Sequence, residues 1–123
     1  MPIVGLDHVQ IAMPRGAEAL AREFYGGLLG LAEIPKPVNL AKRGGVWFAL
    51  GDRQLHLGVE EPFNPARKAH PAFRVDDLES LRGRLRAAGH QPVDDEPLPG
   101  YRRFYLADPF GNRLEFLEPL HPG

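Results

Sequence analysis

The 123-residue chain contains no cysteine. That excludes a disulfide framework, a thiolate metal site and a cysteine nucleophile. Long apolar runs are also missing. The longest is Val46–Leu50, far short of the ~20 residues a membrane span needs. Nor does one sign of charge prevail, with 15 Lys+Arg against 16 Asp+Glu for a net charge of −1. A nucleic-acid surface would show a basic excess, and a polybasic membrane anchor would too. Neither nucleic acid nor a membrane is an expected partner. The start, Met1-Pro2-Ile3-Val4-Gly5-Leu6-Asp7-His8, lacks the basic-then-apolar layout of a secretory signal, so the expected location is cytoplasmic.

Glycine and proline, by contrast, are plentiful at 14 and 13. With regular apolar periods between them, they imply many short elements and many turns rather than disorder. A chain of this length can bury roughly two-thirds of its unfolded surface. Five histidines remain to be explained.

Hydrophobic periods divide the chain into two similar halves. Leu6 to Met13 alternates as a strand, with Val9, Ile11 and Met13 on one face and His8, Gln10 and Ala12 on the other. From Ala17 the period becomes helical, through Leu20, Phe24 and Leu28, and Gly26, Gly27 and Gly30 end it. A short strand is expected at Leu31–Ile34. A hairpin follows, formed by Val46–Leu50 and Arg53–Glu60 around Gly51-Asp52. The order then recurs. His70–Val75 reads as a strand. Asp76 with Glu79 resembles a helix capping box, and Leu78, Leu81, Leu85 and Ala88 form the stripe that Gly89 stops. Strands are expected at Gln91–Glu96, Tyr101–Ala107 and Arg113–Glu118, with a turn at Asp108–Asn112.

The repetition reaches single residues. His8 and His70 open equivalent strands, and His56 and Glu115 hold equivalent places in the two hairpins. A half of this size is marginal alone and needs a second copy to cover its sheet. One domain is expected, with repeats over 3–61 and 69–119 and a linker over 62–68 that is rich in charge and proline.

The βαβββ-βαβββ order resembles the vicinal oxygen chelate superfamily of glyoxalases, bleomycin- and fosfomycin-resistance proteins and extradiol dioxygenases. Local wording agrees at Asp7-His8-Val9, at Phe24-Tyr25-Gly26-Gly27-Leu28-Leu29-Gly30 and at Asp108-Pro109-Phe110-Gly111-Asn112-Arg113-Leu114-Glu115. The resemblance implies an α+β fold in which two tandem βαβββ repeats form a curled mixed sheet with a ligand cleft. It also implies a divalent metal (zinc, nickel, manganese or iron) on four ligand positions, which here are His8, His56, His70 and Glu115. A lone strand histidine is usually solvated or hydrogen-bonded. Here, however, all four positions carry a donor, and each can point away from a more apolar strand face. His90, after the helix stop, and His121, in the proline-rich tail, are expected to be solvated.

The resemblance further implies a small-molecule substrate and a homodimer whose metal sites are shared between chains. Glu115 would be a ligand and a catalytic base, with Glu60 a weaker alternative. Gln10 shares the face of His8 and could hydrogen-bond a ligand oxygen. Arg103 and Tyr105 share a face of their strand, where they could meet a substrate anion and an oxyanion. Trp47 or Phe48 would line the cleft while the other packs under the helix. The expected function is a metal-dependent, glyoxalase-type isomerase or lyase. An extradiol-type iron dioxygenase and a non-catalytic ligand-binding protein are the alternatives, because this fold hosts several chemistries.

Overall fold

A computed structural model describes residues 2–120. His121, expected to be solvated, lies outside the described residues. The chain divides into two compact units, one running to Pro65 and one starting at Ala66. Each contains a small mixed sheet, so the fold is α+β. Among the described residues no helix is long and apolar enough to cross a membrane.

In the first unit, strand β1 (His8–Met13) buries Ile11 and Met13 and turns His8 and Gln10 outward. A helical turn, α1 (Glu18–Ala21), runs directly into a π-helical turn over Arg22–Leu28. The remaining strands are β2 (Glu33–Ile34), β3 (Val46–Leu50) and β4 (Arg53–Val59). The sheet order is β1-β4-β3-β2, with β1 parallel to β4 and the other pairs antiparallel. Its core face carries Val46, Phe48, Leu55 and Leu57, all essentially fully buried. Area burial on this scale is the main source of stability for such a small sheet.

The helix departs from its expected stripe. Phe24 of the stripe is buried, with Ala21 beside it, but Leu20 is 52% exposed and Tyr25 is buried in addition. The wider π winding, closed by the Leu29 N–H on the Phe24 carbonyl at 2.9 Å, rotates the buried face. It brings Tyr25 against Phe48, with ring centroids 6.0 Å apart. A 3-10 helix at Val38–Arg43 fills the stretch before β3.

In the second unit, β5 (Ala72–Arg74) runs parallel to β7 (Arg113–Pro119), and β7 is antiparallel to β6 (Tyr101–Ala107). Helix α2 (Leu78–Ala87) buries Leu78 and Leu85. Phe73, Phe104, Leu106, Leu114 and Phe116 form the core face of this sheet. The helix cap is Asp77, not Asp76. Its carboxylate accepts the Ser80 N–H at 3.1 Å, one register later than the capping-box reading.

The strand expected at Gln91–Glu96 shrinks to one bridge, Val93 to Tyr105. Pro92 and Pro97 flank that bridge and supply no N–H to extend the ladder. The second sheet therefore has three strands and the first has four. The expected turn is built from Asp108. Its Oδ1 accepts the N–H groups of Phe110 at 2.9 Å and Asn112 at 2.8 Å, and its Oδ2 accepts from Asn112 Nδ2 at 3.0 Å. His90 is half-buried rather than fully solvated, and its N–H closes onto the Leu85 carbonyl.

Candidate functional site

Strand alternation leaves each sheet one face without the apolar core. In the first unit that face carries His8, Gln10, Trp47, Gln54, His56 and Gly58. Trp47 and Phe48 are neighbours on β3, so only one of them can enter the core. Phe48 does, and Trp47 stands on the open face, stacked on His56. The stack continues to His8, whose ring centroid lies 4.2 Å from that of His56 with 19° between the planes. His8 Nδ1 lies 3.0 Å from Asp7 Oδ1, and this hydrogen bond lowers the Asp7 pKa. Burial, reinforced by the nearby His8, lowers the pKa of His56 and favours its neutral, ligating form.

Gln10 lies flat over Gly58. A Cβ added at Gly58 would meet the Gln10 amide carbon at 2.6 Å. A glycine inside a strand often marks such a close approach. Here it leaves the Gln10 carboxamide on the open face beside His56, its register partner.

The open face of the second unit gathers His70, Arg103, Tyr105, Arg113 and Glu115. His70 stands two residues ahead of β5, not within it. Its Nε2 is 2.9 Å from Glu115 Oε1, and its Nδ1 is 2.9 Å from the Lys68 carbonyl oxygen. Glu115 is 5% exposed. Burial pushes its pKa up, but the hydrogen bonds from His70 and Arg103 outweigh this and leave it lowered. Arg103 Nη1 donates to Glu115 Oε2 at 3.2 Å and to the Tyr105 hydroxyl oxygen at 2.9 Å, and Nη2 donates to the Glu96 carbonyl. The Arg113 guanidinium lies 3.9 Å from the Tyr105 ring centroid. Among the described residues, Arg103 Nε is the fully buried side-chain nitrogen without a hydrogen-bond partner.

The four candidate ligands thus stand as two pairs, one per unit. Among the described residues no group of three or more His, Asp or Glu side chains is drawn together as a metal site. The chemistry of the second pair nevertheless fits a divalent cation. A carbonyl only accepts, so His70 Nδ1 carries hydrogen and a neutral ring leaves Nε2 bare. Nε2 lies 2.9 Å from a Glu115 carboxylate oxygen, where it either donates a hydrogen to the carboxylate or, bare, shares a cation with it. Two acceptors at this range need a proton or a cation between them. The spacing is close to the ~3 Å edge of an octahedron with bonds of about 2.1 Å. A carbonyl on the far ring nitrogen is also the usual brace of a metal-binding histidine.

Sequence reasoning missed Gln54, Gly58, Arg113 and the Lys68 carbonyl. The period-2 pattern could have found the first three, because each lies an even number of residues from His56 or Glu115 on the same strand. The carbonyl carries no sequence signal.

Comparison with known proteins follows the same outline. The model of the glyoxalase-like domain matches residues 10–117. A glyoxalase family protein from Bacillus anthracis is 50% identical, with a TM-score of 0.93 over 97% of this chain and 98% of that one. A lactoylglutathione lyase from Agrobacterium tumefaciens is 21% identical, with a TM-score of 0.74 over 96% of each chain. The fosfomycin resistance protein FosX from Listeria monocytogenes is 15% identical, with a TM-score of 0.72 over 99% of this chain and 96% of that one. The latter two share the fold alone. No curated protein sequence matches the chain.

Proposed function

This chain belongs to the family of glyoxalase-like domains, and from that premise we propose that it is a metal-dependent small-molecule enzyme of glyoxalase type, an isomerase or lyase. His8, His56, His70 and Glu115 would hold the metal. The observation that carries the reading is the His70–Glu115 pair, with Lys68 bracing the far ring nitrogen. The divalent ion (zinc, nickel, manganese or iron) would supply Lewis acidity toward a substrate oxygen.

The chain's own groups divide the remaining work. Glu115 stays ionised, and Arg103 occupies its second oxygen. It is therefore a ligand first, and it serves as the catalytic base when a substrate anion draws Arg103 away. Tyr105 accepts from Arg103, so its own hydroxyl hydrogen is free to be donated to a developing oxyanion. Gln10, held over Gly58, offers its amide to a substrate oxygen, and Trp47 gives the same face an apolar wall. Two copies would pair as a homodimer, His8 and His56 of one sharing a metal with His70 and Glu115 of the other.

The test is elemental analysis of untagged protein beside His8→Ala and Glu115→Ala. Near-stoichiometric metal that falls in both variants is the expected result. A protein that takes up no metal even after reconstitution refutes the enzyme reading in favour of ligand binding without chemistry. Isomerisation of a thiol–ketoaldehyde adduct is the expected activity, and oxygen uptake with catechols would replace it by the dioxygenase reading. A monomer by light scattering that still holds metal would refute the shared site.

A further inference from the structure

His56 is held differently from the other two candidate histidines. Its ring lies between those of Trp47 and His8. The indole is 3.8 Å away with 1° between the planes, and the His8 ring is 4.2 Å away. Trp47 is the direct cross-strand partner of His56 on β3, so the stack is fixed by sheet register rather than by a loop. The ring edge is fixed as well, because His56 Nε2 lies 2.8 Å from Gln54 Oε1. An amide oxygen accepts, so Nε2 carries the hydrogen and Nδ1 is the bare nitrogen. In His8 and His70 the arrangement is reversed. There the acceptors, Asp7 Oδ1 and the Lys68 carbonyl, lie against Nδ1.

We propose that Trp47 and Gln54 are positioning residues that lock His56 in one ring orientation and one tautomer, presenting Nδ1 as its metal donor while His8 and His70 present Nε2. The proposal rests on the metal reading above and adds the donor atom of His56 and what holds it. A ring on an unsupported side chain samples several rotamers and two tautomers. Stacking on one side and a hydrogen bond at one edge remove that freedom before the ion arrives. Neither contact belongs to the buried core, so the two side chains are not needed simply to fill it.

The experiment uses the full chain with nitrogen-15-labelled histidine. Zinc affinity is measured by chelator competition, and ring nitrogens are assigned by long-range proton–nitrogen correlation. In wild-type protein without metal, His56 is expected as the Nε2–H tautomer. Zinc should shift Nδ1 while Nε2 stays protonated. Trp47→Leu and Gln54→Leu should each weaken zinc binding about ten-fold. Trp47→Phe, which keeps a flat ring, should stay within about three-fold of wild type. Gln54→Leu should also give mixed tautomers without metal. Its side chain lies outside the core, so it tests the proposal even if Trp47→Leu folds poorly.

Zinc on Nε2 of His56 overturns the proposal. So does wild-type affinity in both leucine variants when His56→Ala binds more weakly, a result that leaves the metal reading intact. Absence of zinc binding by the wild-type protein overturns the metal reading itself.

Discussion

Replacing Glu115 by Gln is expected to destabilise the metal-free protein by about 3 kcal/mol near neutral pH. The carboxylate is 5% exposed and accepts from two groups, His70 Nε2 at 2.9 Å and Arg103 Nη1 at 3.2 Å. Hydrogen bonds to a charged group contribute roughly 1.5–3 kcal/mol each. A glutamine keeps the shape but only one acceptor atom, so one donor must face an amide NH2. It also leaves the Arg103 guanidinium, 16% exposed at its side chain, without its counter-charge. Removing one partner of a buried ion pair costs about 3–5 kcal/mol. Arg103 keeps the Tyr105 hydroxyl and the Glu96 carbonyl, which holds the expected loss at the lower end.

The assay is equilibrium urea unfolding in excess chelator, wild type against Glu115→Gln, across a pH series. The folded-state pKa of Glu115 is lowered below its unfolded value. Its contribution is therefore present above the unfolded value and lost as pH falls through the folded one. The gap between the two proteins should be fullest near neutrality and narrow below about pH 5. A gap under about 0.5 kcal/mol at neutral pH, a size typical of an ordinary surface change, would refute the reasoning. So would a gap that does not narrow on acidification.

Other substitutions test the frame around the site. Asn112→Ala removes a fully buried amide that bonds Asp108 Oδ2 and accepts the Ala66 N–H at 2.9 Å. It should cost about 2–4 kcal/mol in urea unfolding, because a buried carboxylate and a part-buried backbone N–H each lose a bond. Gly45→Ala would bring a Cβ to 2.2 Å from the Leu57 carbonyl oxygen at a backbone φ of +89°. Since backbone is in the way, a loss above about 3 kcal/mol or failure to fold is expected by thermal unfolding. The nearest atoms a Gly58→Ala side chain would meet are those of the movable Gln10 amide. Stability should change by less than about 1 kcal/mol, while side-chain amide NMR signals of Gln10 should shift.

The faces of the strands were legible in the sequence. Alternation alone put His8 with Gln10 and Arg103 with Tyr105, because strand side chains project to opposite faces in turn whatever the rest of the fold does. The hairpins and the long helix were legible for the same reason, since their periods are local. The first helix was not. The choice to bury Tyr25 against Phe48 was made by packing, which the period cannot see. The strand over Gln91–Glu96 is reduced to one bridge because Pro92 and Pro97 on either side of Val93 have no N–H to extend the ladder.

Residue identity at the site was therefore a property of the sequence, and commitment was a property of the tertiary structure. The sequence placed an arginine where a substrate anion could sit. Only folding showed its guanidinium already divided among Glu115, Tyr105 and the Glu96 carbonyl. The sequence supplied three histidines for a nitrogen–oxygen site, as the absence of cysteine required. Which nitrogen of each ring stays bare depends on acceptors at Asp7, Gln54 and Lys68. Hydrogen-bond direction is set by distances of a few tenths of an ångström between atoms, and a pattern of residue types does not contain them.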